Sequence, residues 1–293
     1  MLREKGYYPL QHSANELYQG PKANPVLWTW KDNLYPPEEV DIARRLSADS
    51  ILINKSTLGD LQKLKDIVLF LHLRLHTHLG NPSPELRKRS PWQQYLAVYS
   101  GQQDFYCTNY SAILAFFCRA NGLAVREIEI KGKNDRHIYC EVYIPSLSSW
   151  VMADPTNNFL LPHRGPTYLN TVQFLRILHT EPTTLHAFCI RDKQMIISSG
   201  DSLLQPIFYN FDKGADYYFY NTPDLHSLAS PSDKIRRFLF NQPAVMYYNE
   251  HKKIFTAWIL VKYLVLALSA WAIVQLFRGL LIMVRDVKSK RST

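Results

Sequence analysis

The sequence predicts an α+β domain followed by a membrane-crossing helix, and three observations carry that reading. Apolar patterns of helical period recur between Leu58 and Asn121, split by loops at Asn81–Ser90 and Ser100–Tyr106. Alternating strand patterns then take over at Ala124–Ile130, His137–Ile144 and Trp150–Ala153. Near the end, Ile254–Val284 carries no charge except Lys262 and Arg278.

The chain has 293 residues and a formal charge of +9. That length suffices for one sizeable core plus an extra module. The charge is uneven. From Lys252 onward eight basic residues face only Asp286, so the first 251 residues are close to neutral. The basicity therefore belongs to the C-terminal end, and no nucleic-acid partner is expected. Four cysteines, Cys107, Cys118, Cys140 and Cys189, show neither zinc-finger nor C-x-x-C spacing.

The first helical signal is a short one at Pro37–Leu46. The next is stronger: Leu58, Leu61, Leu64, Ile67, Val68, Leu71 and Leu75 recur at helical spacing up to Gly80, with Thr57 as a possible cap. Ser90-Pro91 opens another helix, Ser90 as cap and Pro91 at the first helical position. A fourth begins near Cys107 and stops at Asn121-Gly122. After the three strands, a helix is expected around Leu169–His179, strands near Leu185–Ile190 and Met195–Ile197, and a helix at Asp233–Phe240. The organisation reads as an N-terminal extension over 1–56, a core over 57–164, the far part of the domain or a lid over 165–251, a transmembrane helix over 254–284 and a basic tail over 285–293.

As a helix, the apolar segment is about 46 Å long against a bilayer core of about 30 Å. Lys262 and Arg278 lie about 24 Å apart along its axis, so each can snorkel to an opposite interface. The positive-inside bias favours a cytoplasmic basic tail and an extracytoplasmic domain. The N-terminus shows no apolar leader, and a tail-anchored arrangement needs none but puts the more basic flank outside. The side of the membrane stays open at this stage.

Cys107 sits where a loop meets a helix. Unpaired N–H groups and a partial positive charge at a helix start favour a thiolate, and the same N–H groups can receive an oxyanion. An alternative is a small buried cysteine with no chemistry. His137 opens one strand of a hairpin whose other strand ends at Asp154. If Ile144 pairs with Trp150, His137 points to the opposite face from Asp154. If Ile144 pairs with Ser149, the two lie diagonal on one face, within reach of a hydrogen bond. A triad therefore requires the Ile144–Ser149 register, with a four-residue turn or a bulge.

Four blocks, in order, now bear comparison with a known family. They are Tyr106-Cys-Thr-Asn-Tyr-Ser-Ala112, Arg119-Ala-Asn-Gly-Leu-Ala-Val-Arg126, His137-Ile-Tyr-Cys-Glu-Val-Tyr143 and Trp150-Val-Met-Ala-Asp-Pro-Thr156. Together they resemble the transglutaminase-like superfamily, over roughly Leu58–Asn158. The resemblance implies an α+β core of papain-like type, a cysteine-bearing helix packed on an antiparallel sheet. It implies Cys107 as nucleophile, His137 as base and Asp154 as the residue that orients the histidine. It also implies acyl transfer to, or hydrolysis of, peptide or other amide bonds. The sequence departs from the family pattern before the cysteine, where Phe105-Tyr106 replace a glycine, and at Tyr139, where Trp is common. Gln102 and Gln103 are candidate side-chain donors to an oxyanion.

No cofactor is expected. His72 and His76 have the i, i+4 spacing of a metal pair, but alternation of histidine with leucine over His72–His78 fits an ordinary amphipathic face, so no metal site is expected. Cys118 reads as a core cysteine, Arg126 and Glu141 as packing or a surface ion pair, and Tyr217–Tyr220 as a core strand. Two functions remain: a membrane-anchored thiol amidase or acyltransferase on a peptide or protein substrate, and an inactive module of the same fold serving a membrane complex.

Overall fold

The computed structural model describes residues 10–11, 13–19, 23–28, 35–50, 59–132, 136–199, 215–220, 245–249 and 257–290. Thr57 and the helix expected at Asp233–Phe240 lie outside them.

Helices come first. α1 (Ala14–Tyr18) is closed by a Ser13–Glu16 capping box. α2 is Pro37–Ser50, α3 Asp60–Leu75, α4 Pro91–Tyr99 and α5 Cys107–Ala120. Gly59 occupies the cap position of α3, which starts later than the leucine pattern alone suggests. Ser90 caps α4 as expected, its hydroxyl accepting from Gln93 N–H at 3.2 Å. α6 is Thr171–Thr180, capped by Asn170 and Gln173.

The strands form one sheet. β1 is Leu10–Gln11, β2 Val125–Lys131, β3 Arg136–Ile144, β4 Ser149–Asp154, β5 Phe159–Arg164 and β6 Thr167–Tyr168. β7 is His186–Arg191, β8 Gln194–Ser199, β9 Asp216–Tyr220 and β10 Val245–Tyr248. Their order is β1-β10-β9-β2-β3-β4-β5-β7-β8, with β6 beside β5. All pairings are antiparallel except β1 with β10. The protein is thus α+β, built on a mainly antiparallel sheet. Strands β7 to β10 continue the sheet that β2 to β5 begin.

Side-chain alternation divides the core between the two faces of the sheet. Cys140, Val142, Ile144, Val151 and Ala153 pack against α2, α3, α4 and α5. Ile128, Ile130, Tyr139, Trp150 and Met152 pack against α6 and, from the N-terminal region, Leu17 and Trp28. Arg126 and Glu141 stand on this second face as a fully buried ion pair, 2.6 Å apart, and not at the surface. Glu141 also accepts from Thr171 N–H at 2.6 Å and Tyr18 O–H at 2.9 Å. Arg126 donates to Leu17 O at 3.0 Å and lies over the rings of Trp150 and Tyr18. These contacts tie α1 and the start of α6 to the middle of the sheet. Tyr217 and Phe219 of β9 are buried, as the core-strand reading expects.

Ala257–Lys290 is one helix. Its segment Tyr263–Met283 is 21 residues long and apolar enough to cross a membrane, and none of it is buried inside the protein. A core helix would be mostly buried. The exposed Leu264, Trp271, Phe277 and Ile282 instead show apolar side chains with no protein against them.

Candidate active site

The β3–β4 hairpin has Ile144 opposite Ser149 and Cys140 opposite Ala153. The turn is a single 3-10 turn over Pro145–Leu147 closed by Ser148 in the left-handed region, φ 48°. That four-residue connection sets His137, near the start of β3, diagonal to Asp154 at the end of β4 on one face. His137 Nε2 lies 2.6 Å from Asp154 Oδ2. With Nε2 donating to the carboxylate, Nδ1 is the ring nitrogen left for another partner. Cys107 stands near enough to the imidazole to be among the groups that raise it. The three residues are 3 %, 5 % and 0 % exposed for Cys107, His137 and Asp154.

Cys107 is the first residue of α5. The helix's first bonds run from Asn109 and Tyr110 N–H to Tyr106 O, so the N–H groups of Cys107 and Thr108 lie ahead of the ladder. The helix start is pinned sideways. Asn109 Nδ2 donates to Gln94 Oε1 on α4 at 2.9 Å, and the preceding Phe105 pairs with Leu79. Phe105 N–H bonds His78 O at 3.0 Å and Gly80 N–H bonds Phe105 O at 2.9 Å. Gly80 fits because it has no side chain: a Cβ there would stand 2.9 Å from Asp104 Cβ.

Electrostatics favour a charged imidazole. Burial opposes charge on His137, but the Asp154 carboxylate and the Cys107 contact outweigh it and raise the ring to about 10. Tyr110 lies one turn along α5 from Cys107. Burial first, and then the Asp154 charge, push its phenol well above the usual range. Its hydroxyl is buried without a hydrogen-bond partner.

The other cysteines and the histidine pair lie elsewhere. Gln102 and Gln103 spend their N–H groups on Ala97 O, closing α4. Cys118 is buried on α5, and burial pushes its thiol up to about 12. Cys140 lies 3.3 Å from the Ser111 hydroxyl in the core. His72 and His76 stack face to face, ring centres 4.1 Å apart. Burial, and next the His76 neighbour, lower His72 to about 4, which keeps it neutral. No cluster of three or more metal-ligating side chains occurs among the described residues.

One residue escaped sequence reasoning. Asn157 donates through Nδ2 to Asp154 Oδ2 at 2.8 Å, and its N–H meets Asp154 Oδ1 at 3.3 Å. The signal was the Asp154-Pro-Thr-Asn157 spacing, in which an aspartate side chain accepts from the turn that follows it.

The fold and the geometry define an α+β protein in which a histidine and an aspartate meet at one end of an antiparallel hairpin. No protein-family model matches the chain, and no curated protein matches it. A solved structure that it resembles comes from Cytophaga hutchinsonii and is described as a candidate cysteine protease. The two are 16% identical, the likeness covers 60% of each chain, and the TM-score is 0.31.

Proposed function

We propose that the chain is a membrane-anchored thiol enzyme of transglutaminase-like, papain-type architecture, acting on amide bonds of peptides or proteins. The hairpin register supports this most directly, because it brings the His137 ring to the Asp154 carboxylate. In the reaction His137 Nδ1 takes the Cys107 proton, leaving a thiolate–imidazolium pair. The thiolate adds to the amide carbon, and the carbonyl oxygen becomes an oxyanion facing the N–H groups of Cys107 and Thr108. The C–N bond breaks as His137 returns its proton to the departing amine. Water or a second amine then cleaves the thioester, giving hydrolysis or transfer. Asp154 holds the ring tautomer and balances its charge. The C-terminal helix would carry the site to a bilayer surface.

Iodoacetamide labelling of the full chain, followed by mass spectrometry, tests this. Cys107 should alkylate before Cys118, Cys140 and Cys189, and His137→Ala should slow it at least tenfold. Equal labelling of the four cysteines, or indifference to His137→Ala, would sink the proposal. The near-complete burial of Cys107 favours a second reading, an inactive module that binds a partner in a membrane complex. Unreactive Cys107 in a folded full chain would select it.

A further inference from the structure

Asn157 stands inside the cluster, yet the turn that carries it is closed by its neighbour. Asn158, at φ 51°, donates through Nδ2 to Ile190 O at 3.0 Å and accepts from Ile190 N–H at 2.8 Å. β7 therefore fixes the end of the turn without help from the Asn157 side chain. That side chain points back to the site, its Nδ2 2.8 Å from Asp154 Oδ2 and 3.2 Å from His137 Nε2. The reversed amide would set oxygen against oxygen, so the donor faces the carboxylate.

We propose that Asn157 is a positioning residue: its amide donates to the same Asp154 oxygen that takes the His137 Nε2–H, and so fixes the carboxylate and the ring it orients. The inference rests on the triad proposed above. Two donors on one oxygen spread its negative charge. The ring is then held less tightly as imidazolium and gives its proton more readily to a leaving amine. The 3.2 Å between Nδ2 and Nε2 is the separation of two donors on a shared acceptor. Among the described residues, Cys107 and Tyr110 from α5 and Tyr139 from β3, whose ring centre is 6.0 Å from that of His137, are titratable groups facing this pair.

An NMR titration of the His137 ring tests the role in the full chain in detergent micelles. A Cys107→Ala background keeps the thiol from titrating alongside. Asn157→Ala should raise the ring's midpoint by roughly half a pH unit or more, because Asp154 then turns its whole charge to the ring. Asn157→Asp should raise it further by bringing in a second carboxylate. Asn157→Ser, which keeps a donor, should stay nearer the wild type and serves if the alanine variant does not fold. A turn-forming role alone predicts that Asn, Ser and a folded Ala variant share one midpoint, whereas Asp adds charge beside the ring under either role. A midpoint unmoved or lowered in the Ala variant would overturn the proposal. Iodoacetamide reactivity of Cys107, measured in the otherwise native chain, separates the two ideas. Shifted midpoints with an unreactive Cys107 uphold the role of Asn157 and count against the thiol enzyme. Unmoved midpoints with a reactive Cys107 do the reverse.

Discussion

At the residue scale, the His137–Asp154 pair should leave a mark on stability as well as on chemistry. His137 titrates at about 10 in the fold against an ordinary 6.5. A raised folded value means that the folded chain holds a proton the unfolded chain has released. The pair's contribution is therefore whole below about pH 6.5 and is lost as pH rises through about 10. The urea midpoint of the wild type should exceed that of His137→Ala most at mildly acidic pH, and the gap should narrow toward pH 10. A gap independent of pH would remove the charge argument. Arg126 and Glu141 offer a second test at this scale. Removing one partner of a buried pair strands the other, so Arg126→Ala or Glu141→Ala should cost about 3–5 kcal/mol. Replacing both by apolar residues of similar size should cost less than either single change, as equilibrium urea unfolding would show.

At the scale of elements, the position of Cys107 depends on contacts far from it in sequence. The loop before α5 is bonded to the segment after α3, and Gly80 allows the approach of Asp104. Gly80→Ala should push that loop away and cost about 1–3 kcal/mol, the usual penalty of overpacking, read as a lower thermal midpoint. It should also slow Cys107 alkylation, since the helix start moves with the loop. The element boundaries themselves were largely legible. Ser90-Pro91 and Asn121-Gly122 are local signals, and α4 and α5 begin and end where those signals stand. Gly59 was less legible. It carries no side-chain cap, so the start of α3 is set by packing of the residues after it.

At the scale of the whole molecule, Tyr263–Met283 presents an apolar helix none of which is buried against the rest of the protein. Such a surface in water would drive association, and a bilayer removes that cost. The full chain should remain in the membrane pellet after an alkaline carbonate wash, while a chain ending before Ala257 should move to the supernatant. The ion pair at Arg126 acts at this scale too. It binds α1 and α6 to the sheet through one buried carboxylate, an arrangement the isolated motifs gave no reason to expect. The sequence reading placed Arg126 and Glu141 in packing or at the surface, because residues paired across a sheet carry no local sign of what covers them.

Periodicity, caps and turn residues are local properties, and from them the sequence by itself determined many of the helices and strands between Pro37 and Ile197 and the apolar terminal helix; α1, β5 and β6 were not read from it. It also pointed to Cys107, His137 and Asp154 as candidates and stated the register that brings His137 to Asp154. Only the tertiary structure decided that register, because a one-residue slip costs nothing in the local pattern and moves every side chain to the other face. Asn157 entered the cluster for the same reason: its place beside Asp154 and His137 is set by β7, which closes the turn from 32 residues away.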